Sequence, residues 1–195
     1  MTPHTIYFVR HGETEWNAER RWQGRKDSPL TDAGREHARS NADTLLASVP
    51  DVRILPFVSS PLGRARETMR IVRRHMDLPC DGYSVDERLA ELGFGDWEGM
   101  TAREIRAAAP AEWDAFQAAP WDGAPCGGES YEQMAARLRS WVDELTGDIV
   151  AVAHGAVGRA LRCMNLGLPV REMPGFHATE NDRVYRLSRG TEAVL

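Results

Sequence analysis

Three short stretches of the 195-residue chain place similar side chains after similar runs. In "IYFVRHGETEWN" four apolar residues lead directly into Arg10, His11 and a glycine. In "FVSSPLGRARET" Arg64 sits in the opening turn of a helical pattern, just after a β-type run. In "DIVAVAHGAVGRAL" the most apolar run of the protein ends at His154, and Gly155 opens the next helical pattern. Apolar runs that end in polar residues read as core strands passing into loops, and open α/β sheets keep ligand sites at the carboxyl ends of their strands. If the three strands are parallel, their ends share one edge of the sheet. Two guanidiniums, two imidazoles and a helix N-terminus would then converge. Such a cluster repels itself unless an anion sits among its members, and a phosphate suits both guanidinium forks and a helix N-terminus.

Each stretch alone has an ordinary explanation. A histidine at a strand end is commonly a structural hydrogen-bonding group, Arg64 alone reads as a helix-surface charge, and "RHG" is only three letters. The conjunction is what points to a site. Metal binding is the competing reading. The six histidines (His4, His11, His37, His75, His154 and His177) form no i, i+4 pair and have no neighbouring carboxylate pattern. The clustered arginines would also repel a cation. The sequence therefore predicts neither a metal nor a cofactor.

The elements that must position these residues follow from the pattern. "SPLTDAGREHARSNADTLLASV" reads as a helix capped by Thr31, with Ala38, Leu45 and Leu46 turned inward. "RILPFVSS" reads as a short strand closed by Pro61, followed by the helix "GRARETMRIVRRHM". "SYEQMAARLRSWVDEL" is an amphipathic helix capped by Ser130, with Met134, Leu138, Trp141, Val142 and Leu145 on one side. "DIVAVAH" has the character of a strand buried on both faces. A helix from Ala156 to about Leu166 and a last strand "RVYRLS" complete the chain. This alternation predicts an α/β fold, a three-layer α/β/α sandwich around a mostly parallel sheet, in one domain spanning 1–195. The stretch 99–128, rich in Ala, Pro and Trp, breaks the alternation and reads as a partly helical cap inserted beside the sheet.

Composition excludes other classes. The net charge of −5 argues against a nucleic-acid or membrane-surface binder. No apolar run approaches the length of a membrane span, and "TIYFV" is too short for a signal-peptide core. Cys80, Cys126 and Cys163 have no C-x-x-C spacing, so a reduced, cytoplasmic location is expected.

Taken together, "RHGETEWN", "SSPLGRARET", "ELGFGDWEG", "GGES" and "AHG", in that order over about residues 5–167, resemble the histidine phosphatase superfamily, the phosphoglycerate-mutase-like group. The resemblance implies that His11 is a nucleophile that becomes a phosphohistidine, and that Arg10, Arg64 and His154 hold the phosphoryl group. It places the proton donor at Glu91, in "ERLAELGFGDWEG", and phosphate contacts at Asn17, Gln23 and the Gly155 backbone. The substrate it implies is a small phosphomonoester and the product inorganic phosphate. Oligomeric state stays open.

Elementary chemistry agrees. Histidine attacks phosphorus only when neutral, and nearby guanidiniums favour that form. They also stabilise the charge on the transferring phosphoryl oxygens. A leaving alkoxide needs a proton, and the like charge of a bound phosphate keeps an adjacent carboxyl protonated. Glu13 and Glu15 read as loop or helix-start carboxylates that orient the motif.

A phosphatase admits water to the phosphohistidine, a cofactor-dependent phosphoglycerate mutase excludes it, and an inactive phosphate-binding module would lack the nucleophile or the acid. The module is disfavoured because His11, Glu91 and both arginines are present. Gln23, "SSP" and "FGDWEG" resemble the phosphatase branch, and with 41 residues after His154 the long tail that seals the mutase site is expected to be absent. A phosphoprotein phosphatase is a further alternative. Residues 98–129 hold six acidic residues against Arg103 and Arg106, so a second phosphate on the substrate is expected to meet no cation.

Overall fold

The computed structural model describes residues 2–195. The first apolar run is β1 (Ile6–Arg10), which leads through the one-turn helix α1 (Glu15–Ala18) to α2 (Asp32–Ser48). Thr31 caps α2 by accepting from the Gly34 N–H. Next come β2 (Phe57–Ser59), α3 (Gly63–His75) and the two-residue β3 (Ser84–Val85). The 99–128 stretch contains α4 (Ala102–Ala108) and α5 (Pro110–Ala118). After it come α6 (Tyr131–Asp143), β4 (Ile149–Ala153), α7 (Gly155–Leu166), and a closing pair, β5 (Val184–Ser188) and β6 (Thr191–Val194).

The six strands form one sheet in the order β3-β2-β4-β1-β5-β6. β1 to β4 are mutually parallel, and β5 and β6 add an antiparallel edge. Val152 of β4 pairs with Val9 on one side and Ser59 on the other, so β1, β2 and β4 end in line. Alternating side chains of these strands face two helical layers. Phe8, Val58 and Ala151 join the core that holds α6 and α7. Val9, Phe57, Val150 and Val152 join the core that holds α2 and α3. This is the expected α/β/α sandwich. The α7 layer lies close against β1: a Cβ added at Gly158 would meet the Phe8 ring at 2.6 Å.

The observed elements depart from the sequence expectations at three places. "RILPFVSS" is not one strand, because residues 52–54 wind into a 3₁₀ turn and the strand begins only at Phe57, after Pro56, which has no N–H to give a ladder. β3 has no alternating pattern to betray it, since both its residues are exposed. β6 follows the expected last strand through a two-residue turn at Arg189 and Gly190, both with positive φ.

In the 99–128 stretch, α4 carries a capping box between Thr101 and Glu104, and α5 starts with Pro110 in its first turn. The stretch is pinned by an aromatic cluster in which Trp22, Trp97, Trp113 and Phe116 have ring centroids 5.3 to 6.0 Å apart. Among the described residues no helix is long and apolar enough to cross a membrane.

Candidate active site

The sheet delivers its polar strand ends to one cavity of about 580 Å³. His11 continues the ladder of β1, its N–H donating to the Ala153 carbonyl, and its ring is buried. Nδ1 lies 2.8 Å from the Gly12 carbonyl oxygen, which can only accept, so Nδ1 carries the proton. Nε2 is left with a lone pair, 3.3 Å from Arg64 Nε, which donates to it. Burial first, then Arg64 and Arg10, hold the His11 pKa well below the usual histidine range. Sequence reasoning named only the guanidiniums; the missing part is desolvation.

Gly12 fixes this geometry from behind. Its N–H donates to Thr68 Oγ1, and a Cβ there would stand 2.1 Å from the Gly34 carbonyl oxygen at the start of α2. Only glycine fits so close an approach.

Arg64, in the first turn of α3, is anchored by the loop between α1 and α2, which leaves one Nη2–H unused among the described residues. Nη1 donates to the Lys26 carbonyl and to Asp27, and Nη2 to the Gly24 carbonyl. Asp27 also accepts from the backbone N–H groups of Gly63 and Arg64, capping a helix whose own N-cap, Leu62, offers no side-chain acceptor. Arg10 is held by one bond from Nη1 to the Thr179 carbonyl, and its buried Nε has no protein partner. Burial lowers the Arg10 pKa while Glu91 supports the charge.

His154 is fully buried behind His11, with ring centroids 5.2 Å apart, and is absent from the cavity wall. Its Nε2 lies 2.6 Å from Ser60 Oγ, while Nδ1 has no protein partner. Ser60 Oγ also accepts from the Leu62 N–H, which fixes the hydroxyl that faces His154. Burial, followed by Arg64 and His11, also pushes the His154 pKa well down.

Glu91 lines the cavity opposite, its two oxygens accepting from the N–H groups of Leu92 and of Ala156 in α7. Arg137, paired with Glu129, donates to the Glu91 carbonyl and fixes that segment. Asn17, Gln23 and Gly155 also line the cavity. The Asn17 amide oxygen is used by Thr14 in a capping box, so its NH₂ group is the part left to a ligand. Glu13 accepts from the Thr31 hydroxyl and so ties the motif loop to the cap of α2. Among the described residues no group of three or more His, Cys, Asp or Glu stands together as a metal-ligand set.

Sequence reasoning missed several lining residues, and one omission corrects an expectation. Arg21 and Arg159 both reach the cavity, so a second anionic group does have cations to meet. The charge count over 98–129 could not find them because they come from the loop after α1 and from α7. Arg159 had a signal: it is i+4 from Gly155, so the two share a helix face. Trp22, Phe94 and Tyr131 also contribute to the wall.

The family model of the histidine phosphatase superfamily (branch 1) matches residues 6–194. The chain belongs to that superfamily. A glucosyl-3-phosphoglycerate phosphatase of Mycolicibacterium vanbaalenii is 37% identical over 99% of this chain and 88% of its own length. Phosphoglycerate mutase-like protein 4 of Arabidopsis thaliana is 38% identical over 80% of this chain and 68% of its own. Among solved structures, a mycobacterial glucosyl-3-phosphoglycerate phosphatase in complex with inorganic phosphate superposes with a TM-score of 0.78 at 32% identity, covering 98% of this chain and 95% of that one.

Proposed function

We propose that this superfamily member is a phosphomonoester hydrolase that works through a phosphohistidine on a small phosphorylated metabolite. The observation that carries the reading is the His11 tautomer: the Gly12 carbonyl holds the proton on Nδ1, so Nε2 presents a lone pair beside the Arg64 guanidinium. In the first step Nε2 attacks phosphorus and the ester P–O bond breaks. Arg10 and Arg64 take the charge on the phosphoryl oxygens, with Asn17, Gln23 and the Gly155 backbone completing the cradle and His154 supporting His11 from behind. Glu91 gives its proton to the leaving alkoxide and, as a carboxylate, then takes one from the water that attacks the phosphohistidine. Inorganic phosphate leaves.

The residues 99–128 act as a cap on a single catalytic domain, since Phe116, Gln117 and Pro120 lie on the cavity wall. A phosphoglycerate derivative, as in the mycobacterial relatives' names, is one substrate that fits a wall with additional arginines. The reading places the enzyme in the cytoplasm, where its three unbridged cysteines stay reduced. A mutase reading rests on the Arabidopsis relative and is the weaker one.

The test is direct. Enzyme given labelled phosphomonoester and quenched in alkaline denaturant should carry an acid-labile, base-stable label, and His11→Ala should remove both label and turnover, by on the order of 10⁴-fold or more. A label that survives in His11→Ala, or is found on His154, overturns the assignment.

A further inference from the structure

Four arginines line the cavity, and their partners divide them. Arg64 is bonded to Asp27, and Arg21 is bonded to Glu19 and Glu104. Arg10 lies next to His11 and belongs to the phosphoryl group in the reading above. Arg159 is the remaining one. Its two hydrogen bonds go to neutral oxygens, the Pro174 carbonyl from Nη1 at 3.2 Å and the Tyr131 hydroxyl from Nη2 at 3.4 Å. Among the described residues it forms no ion pair. A half-buried guanidinium facing a cavity, held in place but left without a countercharge, is built to receive one from a ligand.

Its placement relative to the chemistry is defined by the helix. Gly155 and Ala156 stand at the N-terminus of α7, and Arg159 follows one turn later on the same face. Arg159 is close enough to Arg10 for the two charges to oppose each other. The Tyr131 hydroxyl, at the start of α6, sits beside it on the wall with Pro174 and Gly175. The subsite therefore lies about one helical turn from the phosphoryl cradle, within reach of a second group on a short substrate.

We propose that Arg159, backed by Tyr131, is a specificity-determining residue that binds a carboxylate carried by the leaving portion of the substrate. This deepens the phosphatase reading and rests on it. A carboxylate fits better than a second phosphate: one guanidinium balances one negative charge, and its planar fork matches the two carboxylate oxygens. A second phosphate dianion would bring an additional charge with no further unpaired arginine to meet it. Lysine keeps the charge and loses the fork, so Arg159→Lys should recover only part of the selectivity.

The test compares two ligands that differ in the group under question. 3-Phosphoglycerate and glycerol 3-phosphate are both primary phosphomonoesters of a three-carbon chain, one ending in a carboxylate and the other in a hydroxymethyl. Each is measured as a competitive inhibitor of p-nitrophenyl phosphate hydrolysis by the full chain, which needs no assumption about how fast either turns over. The wild type should bind 3-phosphoglycerate about 10- to 100-fold more tightly than glycerol 3-phosphate, the range expected of a charge-assisted pair. Arg159→Gln should collapse that ratio towards one, and Arg159→Lys should fall between. A wild-type ratio within about twofold of one, or a ratio unchanged in Arg159→Gln, overturns the subsite whatever the variants do to folding. Failure of the wild type to hydrolyse p-nitrophenyl phosphate at all would instead count against the phosphatase reading.

Discussion

The two walls of the cavity are built by opposite means. On the strand-end wall, His11 and Arg64 are at most 3% exposed, with His154 fully buried behind them, and each of the three hangs from the end of a sheet strand or from the first turn of a helix that follows one. The helix behind it, α7, buries nine of its twelve residues. The insertion wall is held much more lightly. In α5 only Phe116 is buried, in α4 only Ile105; α5 is fixed largely by aromatic rings meeting Trp22 and Trp97, and α4 is tied by Glu104 to Arg21. The groups assigned to the chemistry sit on buried elements, as does Arg159 of α7, whereas the wall supplied by Phe116, Gln117 and Pro120 sits on or beside a short, exposed helix. Local opening is cheapest where few apolar contacts are buried. The outer wall can therefore vary while the reacting groups and Arg159 stay fixed.

Replacing a group that takes part in the proposed reaction should give the larger effects. General acid catalysis contributes about 10²–10⁴-fold and matters most for a basic leaving group. Glu91→Gln keeps the size and the acceptor that meets the Leu92 or Ala156 N–H, yet cannot give up a proton. It should lose hydrolysis of an alkyl phosphate by that factor, while phosphorylation of His11 by p-nitrophenyl phosphate still shows a burst of nitrophenol. Equal loss of the phosphorylation step with both substrates would remove Glu91 from the role of acid.

A smaller effect concerns protons and stability. His11 and His154 are both held neutral by burial, with pKa values well below the usual range, whereas in the unfolded chain each takes a proton near pH 6.5. The unfolded state then binds more protons, so stability rises with pH across this window. It is fully present above about pH 6.5 and falls as the pH drops below that, by about 1.4 kcal/mol per pH unit for each histidine. Denaturant midpoints at pH 7, 6 and 5 should show this slope, and His154→Asn should reduce it by about half. A midpoint that does not change between pH 7 and 5 would mean that the folded protein protonates both rings.

The smallest effects belong to the insertion wall. Arg103, exposed in α4, is expected to change kcat/KM for p-nitrophenyl phosphate by less than about twofold when replaced by alanine. Amides of α4 and α5 should exchange with solvent well before those of β1 and β4. Exchange at matching rates would abolish the contrast between the walls.

How much could be read from the letters divides along the same line. β1, β4 and α3 were legible because an apolar run that stops at a polar residue leaves few other interpretations, and their ends carried the site with them. Thr31 and Ser130 announced their helices through cap chemistry. What could not be read depends on distant partners. Ser60 matters because it accepts from the Leu62 N–H and faces His154, and Arg137 matters because it reaches the backbone of Glu91. β6 was hidden by its turn, where Arg189 takes a positive φ without being glycine or asparagine. Trp113 and Phe116 read as apolar residues of a loop-rich stretch, and nothing local tells that they meet Trp22.

The bond from Arg64 Nε to His11 Nε2 has a consequence for the end of each turnover. In the phosphatase reading, the lone pair of the attacking nitrogen is occupied, in the free enzyme, by the same arginine that is to face the phosphoryl group. A departing phosphate therefore leaves behind two groups that satisfy each other, and a returning phosphate must first separate them. With a net hydrogen bond worth about 1 kcal/mol, this internal rival weakens the hold on product roughly fivefold. The enzyme clears its own exit by closing the vacancy from within.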